Sequence, residues 1–102
     1  MNVKTKGYVY IGYDASRKGF KIGKSTNPEK REEEIRRMNP SFELLAFGFT
    51  DNYSDVEKKL HEKYSKKRII GEWFSLSPNE ISELLIGKLS PEEIEEITGI
   101  EL

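Results

Sequence analysis

The residues of this chain that could do chemistry on a phosphate ester fall mostly in its first third. Tyr10 lies in Gly7-Tyr8-Val9-Tyr10-Ile11-Gly12, and Lys21 and Lys24 lie in Gly19-Phe20-Lys21-Ile22-Gly23-Lys24. Arg31 closes Asn27-Pro28-Glu29-Lys30-Arg31. A phenol, two ammonium groups and a guanidinium can grip phosphate oxygens, stabilise developing negative charge or move a proton. Further on, Glu57 and the only histidine, His61, stand four residues apart, a spacing that puts both on one side of a helix. His61 there could shuttle a proton or contact phosphate.

Each of these residues also has a plain structural explanation. Tyr10 could be a packed strand tyrosine, and Lys21 and Lys24 could simply solvate a strand edge. Ser54-Asp55-Val56-Glu57 reads as a capping box, with Glu57 at its third helical position. A lone histidine on a helix is more often structural than catalytic. No zinc spacing surrounds it.

The elements that must position these groups follow from local pattern. Residues 7–13 alternate, with Tyr8, Tyr10 and Gly12 on one side and Val9, Ile11 and Tyr13 on the other, as in a half-buried strand. Asp14 to Lys18 form a polar turn, and Phe20 to Lys24 return as a second strand, giving an antiparallel hairpin. Asn27 and Pro28 start a helix as N-cap and first helical residue, and Asn39-Pro40 ends it. Its inward stripe is Arg31, Ile35 and Met38, which turns Arg31 toward the sheet. Phe42 to Thr50 reads as a third, central strand.

A second helix is expected from Ser54 to about Lys66, with a stripe of Val56, Leu60 and Tyr64. Basic residues 66–68 fall in a loop, and residues 72–76 form a short extended piece in which Trp73 and Phe74 belong to the core. Ser77 and Ser90, each followed by Pro and then by Glu at the third position, begin two more helices. Gly87 stops the first of these near Ile86. The order predicts an α+β fold: a small three-stranded antiparallel sheet flanked by helices, with a C-terminal helical extension. The expected division is a domain over residues 1–88 and an acidic helix or tail over 89–102.

Length and composition set the bounds. A chain of 102 residues fits one domain with its own core. With no cysteine, disulfides and thiolate metal sites are excluded. No apolar run approaches the roughly 20 residues of a membrane span, and the N-terminal residues lack the apolar stretch of a signal peptide. A cytoplasmic protein without membrane partners is the expectation. The net charge of −1 hides an asymmetry: residues 1–76 carry 16 Lys and Arg against 11 Asp and Glu, residues 77–102 one against 7. A basic body suits a polyanion. The acidic tail suits a protein partner, or could fold over the body's own basic cleft as a DNA mimic. Lys24-Ser25-Thr26 is similar to the end of a P-loop, but the upstream glycine spacing is wrong, so no nucleotide cofactor is expected.

Taken together, the motifs resemble the GIY-YIG nuclease superfamily in its compact phage-type branch. Tyr8-Val9-Tyr10 stands for the first signature element and Lys21-Ile22-Gly23 for the second. Arg31, the Glu57 and His61 pair, and Gly71-Glu72-Trp73-Phe74 follow in order, over about residues 6–76. Lysine replaces the second signature tyrosine, and the usual late asparagine has no clear counterpart near Trp73. The resemblance implies a divalent-metal-dependent endonuclease that hydrolyses DNA phosphodiester bonds. It makes Tyr10, with a lowered pKa favoured by Lys21, Lys24 and Arg31, a participant in proton abstraction from water. It assigns Arg31 to transition-state charge and Glu57 to a single Mg2+ or Mn2+ ion. Lys21, Lys24 and His61 would serve phosphate binding or proton transfer. The alternative is a catalytically inactive module of the same fold that binds nucleic acid or protein.

Overall fold

The computed structural model describes residues 5–85 and 89–101. Two strands, β1 (Gly7–Asp14) and β2 (Gly19–Ser25), form the expected antiparallel hairpin, with Tyr10 opposite Gly23 and Gly12 opposite Lys21. The turn between them is organised by Asp14, whose buried carboxylate accepts from the Ser16 amide at 3.0 Å, the Ser16 hydroxyl at 2.8 Å and the Ser41 hydroxyl.

The sheet has five strands rather than three. Beyond β3 (Phe42–Thr50) come β4 (Arg68–Ile70) and β5 (Trp73–Phe74), and the order across the sheet is β3-β1-β2-β5-β4, with every pairing antiparallel. The two added strands are three and two residues long, too short to display alternation. Their existence depends on the free edge of β2, where Phe20 pairs with Phe74 and Lys21 with Trp73. This arrangement also moves β3 from the expected centre to an edge.

Helices cover both faces. Alternation sends Ile11, Tyr13, Phe20, Ile22 and Phe74 to one side. There they meet Tyr64, Leu76, Ile81, Leu85 and Ile94 in the larger core, which is roofed by α2 (Tyr53–Lys63), α3 (Pro78–Leu84) and α4 (Pro91–Thr98). The opposite side carries Tyr10, Phe42 and Trp73 beneath Ile35 of α1 (Pro28–Met38). Ile94 of α4 is fully buried, so the acidic last helix is anchored by its apolar face. No helix among the described residues is long and apolar enough to cross a membrane.

Local helix signals hold at three of four starts. Asn27 accepts from the Lys30 amide at 3.2 Å, and complete capping boxes join Ser77 to Glu80 and Ser90 to Glu93. The exception is α2. It begins at Tyr53 with Asn52 as its cap, accepting from Asp55 N, so Glu57 lies beyond the capping position and is free for another role. The expected end of α3 at Ile86 and Gly87 lies outside the described residues.

The inward stripe of α1 needs correction as well. Ile35 is buried, but Met38 is 83% exposed. The helix is instead tied to the sheet through charged side chains: Arg36 Nε donates to the Phe42 carbonyl at 2.8 Å, and Glu32 accepts from the Leu44 amide at 2.7 Å. These two bonds occupy part of the open edge of β3.

Candidate functional site

Tyr10 sits at the centre of the sheet face beneath α1 and is 1% exposed. Its ring crosses the backbone of Gly23, its pairing partner. A Cβ at Gly23 would overlap the Tyr10 hydroxyl and lie 2.5 Å from ring atom Cζ. The glycine of the Lys21-Ile22-Gly23 element is therefore the floor on which the tyrosine lies. Gly23→Ala is expected to displace the ring and to cost about 1–3 kcal/mol, the usual range for overpacking. Urea denaturation would measure the loss. A variant as stable as the parent, with an unchanged near-ultraviolet spectrum, would refute the close packing.

Arg31 reaches the Tyr10 hydroxyl from the first turns of α1, and its Nη1 also pairs with Glu34 at 3.3 Å. Its side chain is 45% exposed, so it bridges the buried tyrosine and solvent rather than lying inside the core. An open cavity of about 350 Å³ lies beside it, lined by residues that include Lys21, Arg31, Glu34 and Trp73. A guanidinium at such a mouth can bind a phosphate with two parallel hydrogen bonds.

The Tyr10 pKa is pushed up to about 12, not lowered. Burial is the largest cause, because it penalises the phenolate. The bond from Arg31 works against it, while the nearby charges of Glu72 and Glu57 add to the rise. The expectation of a phenolate rested on surrounding cations and took no account of burial or of the two carboxylates. In this state Tyr10 is a neutral phenol.

On the far side of Gly23, α2 and the β4–β5 turn close over the edge of β2. Ile22 N donates to the Glu72 carbonyl at 3.0 Å. His61 Nε2 is 2.8 Å from the Ile22 carbonyl oxygen, which makes Nε2 the donor. The His61 ring packs on Phe74 with centroids 5.0 Å apart. Glu57, one turn before His61, completes a group in which one ligand atom each from Glu57, His61 and Glu72 lies within 4.8 Å of the others.

The two carboxylates differ in charge state. Glu57 is pushed up to about 7, first by burial and then by Glu72 beside it, with Lys24 and Lys21 opposing. Its Oε2 is buried with no hydrogen-bond partner among the described residues. For Glu72, burial raises the pKa, but the ion pair with Lys21 at 3.0 Å outweighs it and holds the group below the usual carboxylate range. A buried unpartnered oxygen, a second carboxylate and an imidazole nitrogen form a donor set that suits a small divalent cation. The ion would also relieve the repulsion between the two glutamates.

Tyr10, Arg31, Lys21, Glu57 and His61 are thus gathered around the middle of β2. Lys24 is only partly so. It points to the α2 side, where Nζ donates to Ser54 Oγ at 2.9 Å and lies over the Tyr53 ring, while its charge still reaches Glu57. Lys21 is buried, and its charge is committed to Glu72. Glu72 itself was overlooked as a site residue, although it stands in the Gly71-Glu72-Trp73-Phe74 element. No local spacing links it to Glu57, and the turn alone brings them together.

No curated protein and no solved structure matches the chain. The family model of the T5orf172 domain matches residues 7–87, which include every residue of this site. That domain is associated with phage-related nuclease-like proteins of the GIY-YIG/HNH type. The chain therefore belongs to the T5orf172 domain family.

Proposed function

We propose that this chain is a divalent-metal-dependent endonuclease of the GIY-YIG type that hydrolyses DNA phosphodiester bonds. The observation that carries the reading is the group of Glu57, His61 and Glu72 beside β2, close enough to Tyr10 and its neighbour Arg31 for both glutamates to act on the phenol. Mg2+ or Mn2+ held by Glu57, with Glu72 and His61 in reach, would supply water activation or stabilisation of the leaving oxygen.

The chain's own groups do the rest. Arg31 binds the scissile phosphate and stabilises its growing charge. Tyr10, as a phenol held flat on Gly23, orients the attacking water or donates to a phosphate oxygen. His61, fixed through Nε2 on the Ile22 carbonyl, stands within reach of both carboxylates. Lys21 keeps Glu72 ionised, and Lys24 adds positive charge near Glu57. The basic balance of residues 1–76 favours association with a polyanion.

A plasmid-nicking assay with Mg2+ or Mn2+ tests this reading. Wild-type protein should nick only with metal present, and Arg31→Ala and Glu57→Gln should both fail. The high Tyr10 pKa favours a second reading, a DNA-binding module that does not cleave. Salt-sensitive DNA binding by well-folded wild-type protein, with no nicking under any metal, would establish that reading instead.

A further inference from the structure

We infer that Phe47 and Phe49, braced by Tyr8, form a platform that stacks an unpaired nucleobase next to the scissile phosphate. The inference rests on the proposed DNA-cleaving site and names the form of DNA that the site takes.

Pairing of β1 with β3 sets Phe47 directly opposite Tyr10 and Phe49 opposite Tyr8, so all four rings share one sheet face. Cross-strand neighbours of this kind have Cβ atoms about 4.5–5.5 Å apart, and diagonal ones about 7–8 Å. The Tyr10 hydroxyl that Arg31 approaches lies over Gly23 of β2, so Phe47 is two strand spacings, about 10 Å, from it, within reach of a base one or two nucleotides from a phosphate held by Arg31. At the other end of this face, Ile35 of α1 covers Tyr10, Phe42 and Trp73. The rings beyond it stay open: Phe47 is 39% and Phe49 61% exposed, whereas Phe20, Phe42 and Phe74 are fully buried.

The exposed rings are also held in place. Tyr8 meets Phe47 at 5.4 Å and 87°, and Phe49 at 5.6 Å and 75°, both edge-on. A braced pair of aromatics on the sheet face that also carries Tyr10 and its neighbour Arg31, on a body with excess positive charge, is the combination that stacks bases of a single strand with little regard for sequence. Glu43 is the only charged residue on β3, so the platform itself does not repel phosphate. A base inside a duplex has both faces covered by its neighbours, so only a single-stranded, flap or flipped-out base can use the platform.

The test uses oligonucleotides carrying 2-aminopurine, in EDTA so that no cleavage occurs. Wild-type protein should quench the fluorophore in a single strand. Phe47→Ala and Phe49→Ala should each weaken single-strand binding about 10-fold, the loss of one stacked base, and change blunt-duplex binding less than about twofold. Phe49→Trp should keep the quenching. Equal losses on single strand and duplex, or no loss on either, would overturn the inference. So would a wild-type dimer that Phe49→Ala converts to a monomer, which would assign the rings to contact between two copies. Quenching without nicking in the metal assay leaves the platform standing and removes only the catalytic reading. Nicking of duplex without quenching does the reverse.

Discussion

Replacing Glu57 by Gln is expected to abolish metal-dependent nicking and, in the same protein, to raise stability above pH 7. Loss of the carboxylate proposed to hold the metal should slow cleavage by about three orders of magnitude or more, since a bound cation contributes several kcal/mol of charge stabilisation. The stability effect follows from the opposite property of the same carboxylate. In the unfolded chain a glutamate titrates near 4.5, whereas in the fold Glu57 is pushed up to about 7 by burial and by Glu72. Below pH 4.5 it is protonated in both states and its buried carboxyl costs nothing extra. As pH rises from 4.5 through 7, the unfolded state releases its proton first, and stability declines until Glu57 ionises in the fold as well.

Glutamine stays neutral and escapes this decline. At pH 8 in EDTA the gain should be about 1–2 kcal/mol once solvent screening is discounted, and it should vanish at pH 4. Urea denaturation across this pH range measures it. Mg2+ or Mn2+ should raise the melting temperature of the wild type but not of Glu57→Gln. A variant that is less stable at pH 8, or that still nicks DNA, would assign Glu57 a purely structural role.

The second large effect is expected at Arg31. Arg31→Ala should lower cleavage by about 10²–10³-fold, the usual loss when one preorganised donor to the transition state is removed. Because the side chain is 45% exposed, stability should change by no more than about 0.5 kcal/mol. Arg31→Lys should recover only part of the activity, since a single ammonium cannot form the two parallel bonds of a guanidinium.

The Arg31 substitution also has a spectroscopic signature. The Arg31 guanidinium beside the hydroxyl is the main influence that lowers the Tyr10 pKa, so its removal should raise that pKa further. An alkaline absorbance titration, differenced against Tyr10→Phe, would register the shift. Unchanged titration would mean that the guanidinium does not engage the hydroxyl, and full activity in Arg31→Ala would remove it from the mechanism.

Local rules recovered what is decided within a few residues. The hairpin, the Asn27 cap and the capping boxes at Ser77 and Ser90 depend on alternation or on contacts three residues apart, and they stand where the pattern puts them. The same rules failed where two local solutions compete. Asn52 and Ser54 both suit the start of α2; Asn52 is the cap observed, with Tyr53 N also bonded to the Thr5 carbonyl at 3.0 Å. That shift of two residues released Glu57 from a capping role. The stripe of α1 failed at Met38 because the helix packs on the sheet through Ile35 and reaches β3 through Glu32 and Arg36, which leaves its last turn in solvent.

The sequence by itself determined which chemical groups this protein has available: a tyrosine on one strand of a hairpin whose other strand carries lysines and a glycine, an arginine on the next helix, and a glutamate one turn before a histidine. The tertiary structure decided their states. Burial under α1 makes Tyr10 a weaker acid, two strands of three and two residues turn a three-stranded sheet into one of five, and the turn between them delivers Glu72 to Glu57. The reason is physical. Hydrogen-bonding caps and side-chain alternation act over a few residues, whereas desolvation and the repulsion of two carboxylates depend on atoms brought together from distant parts of the chain.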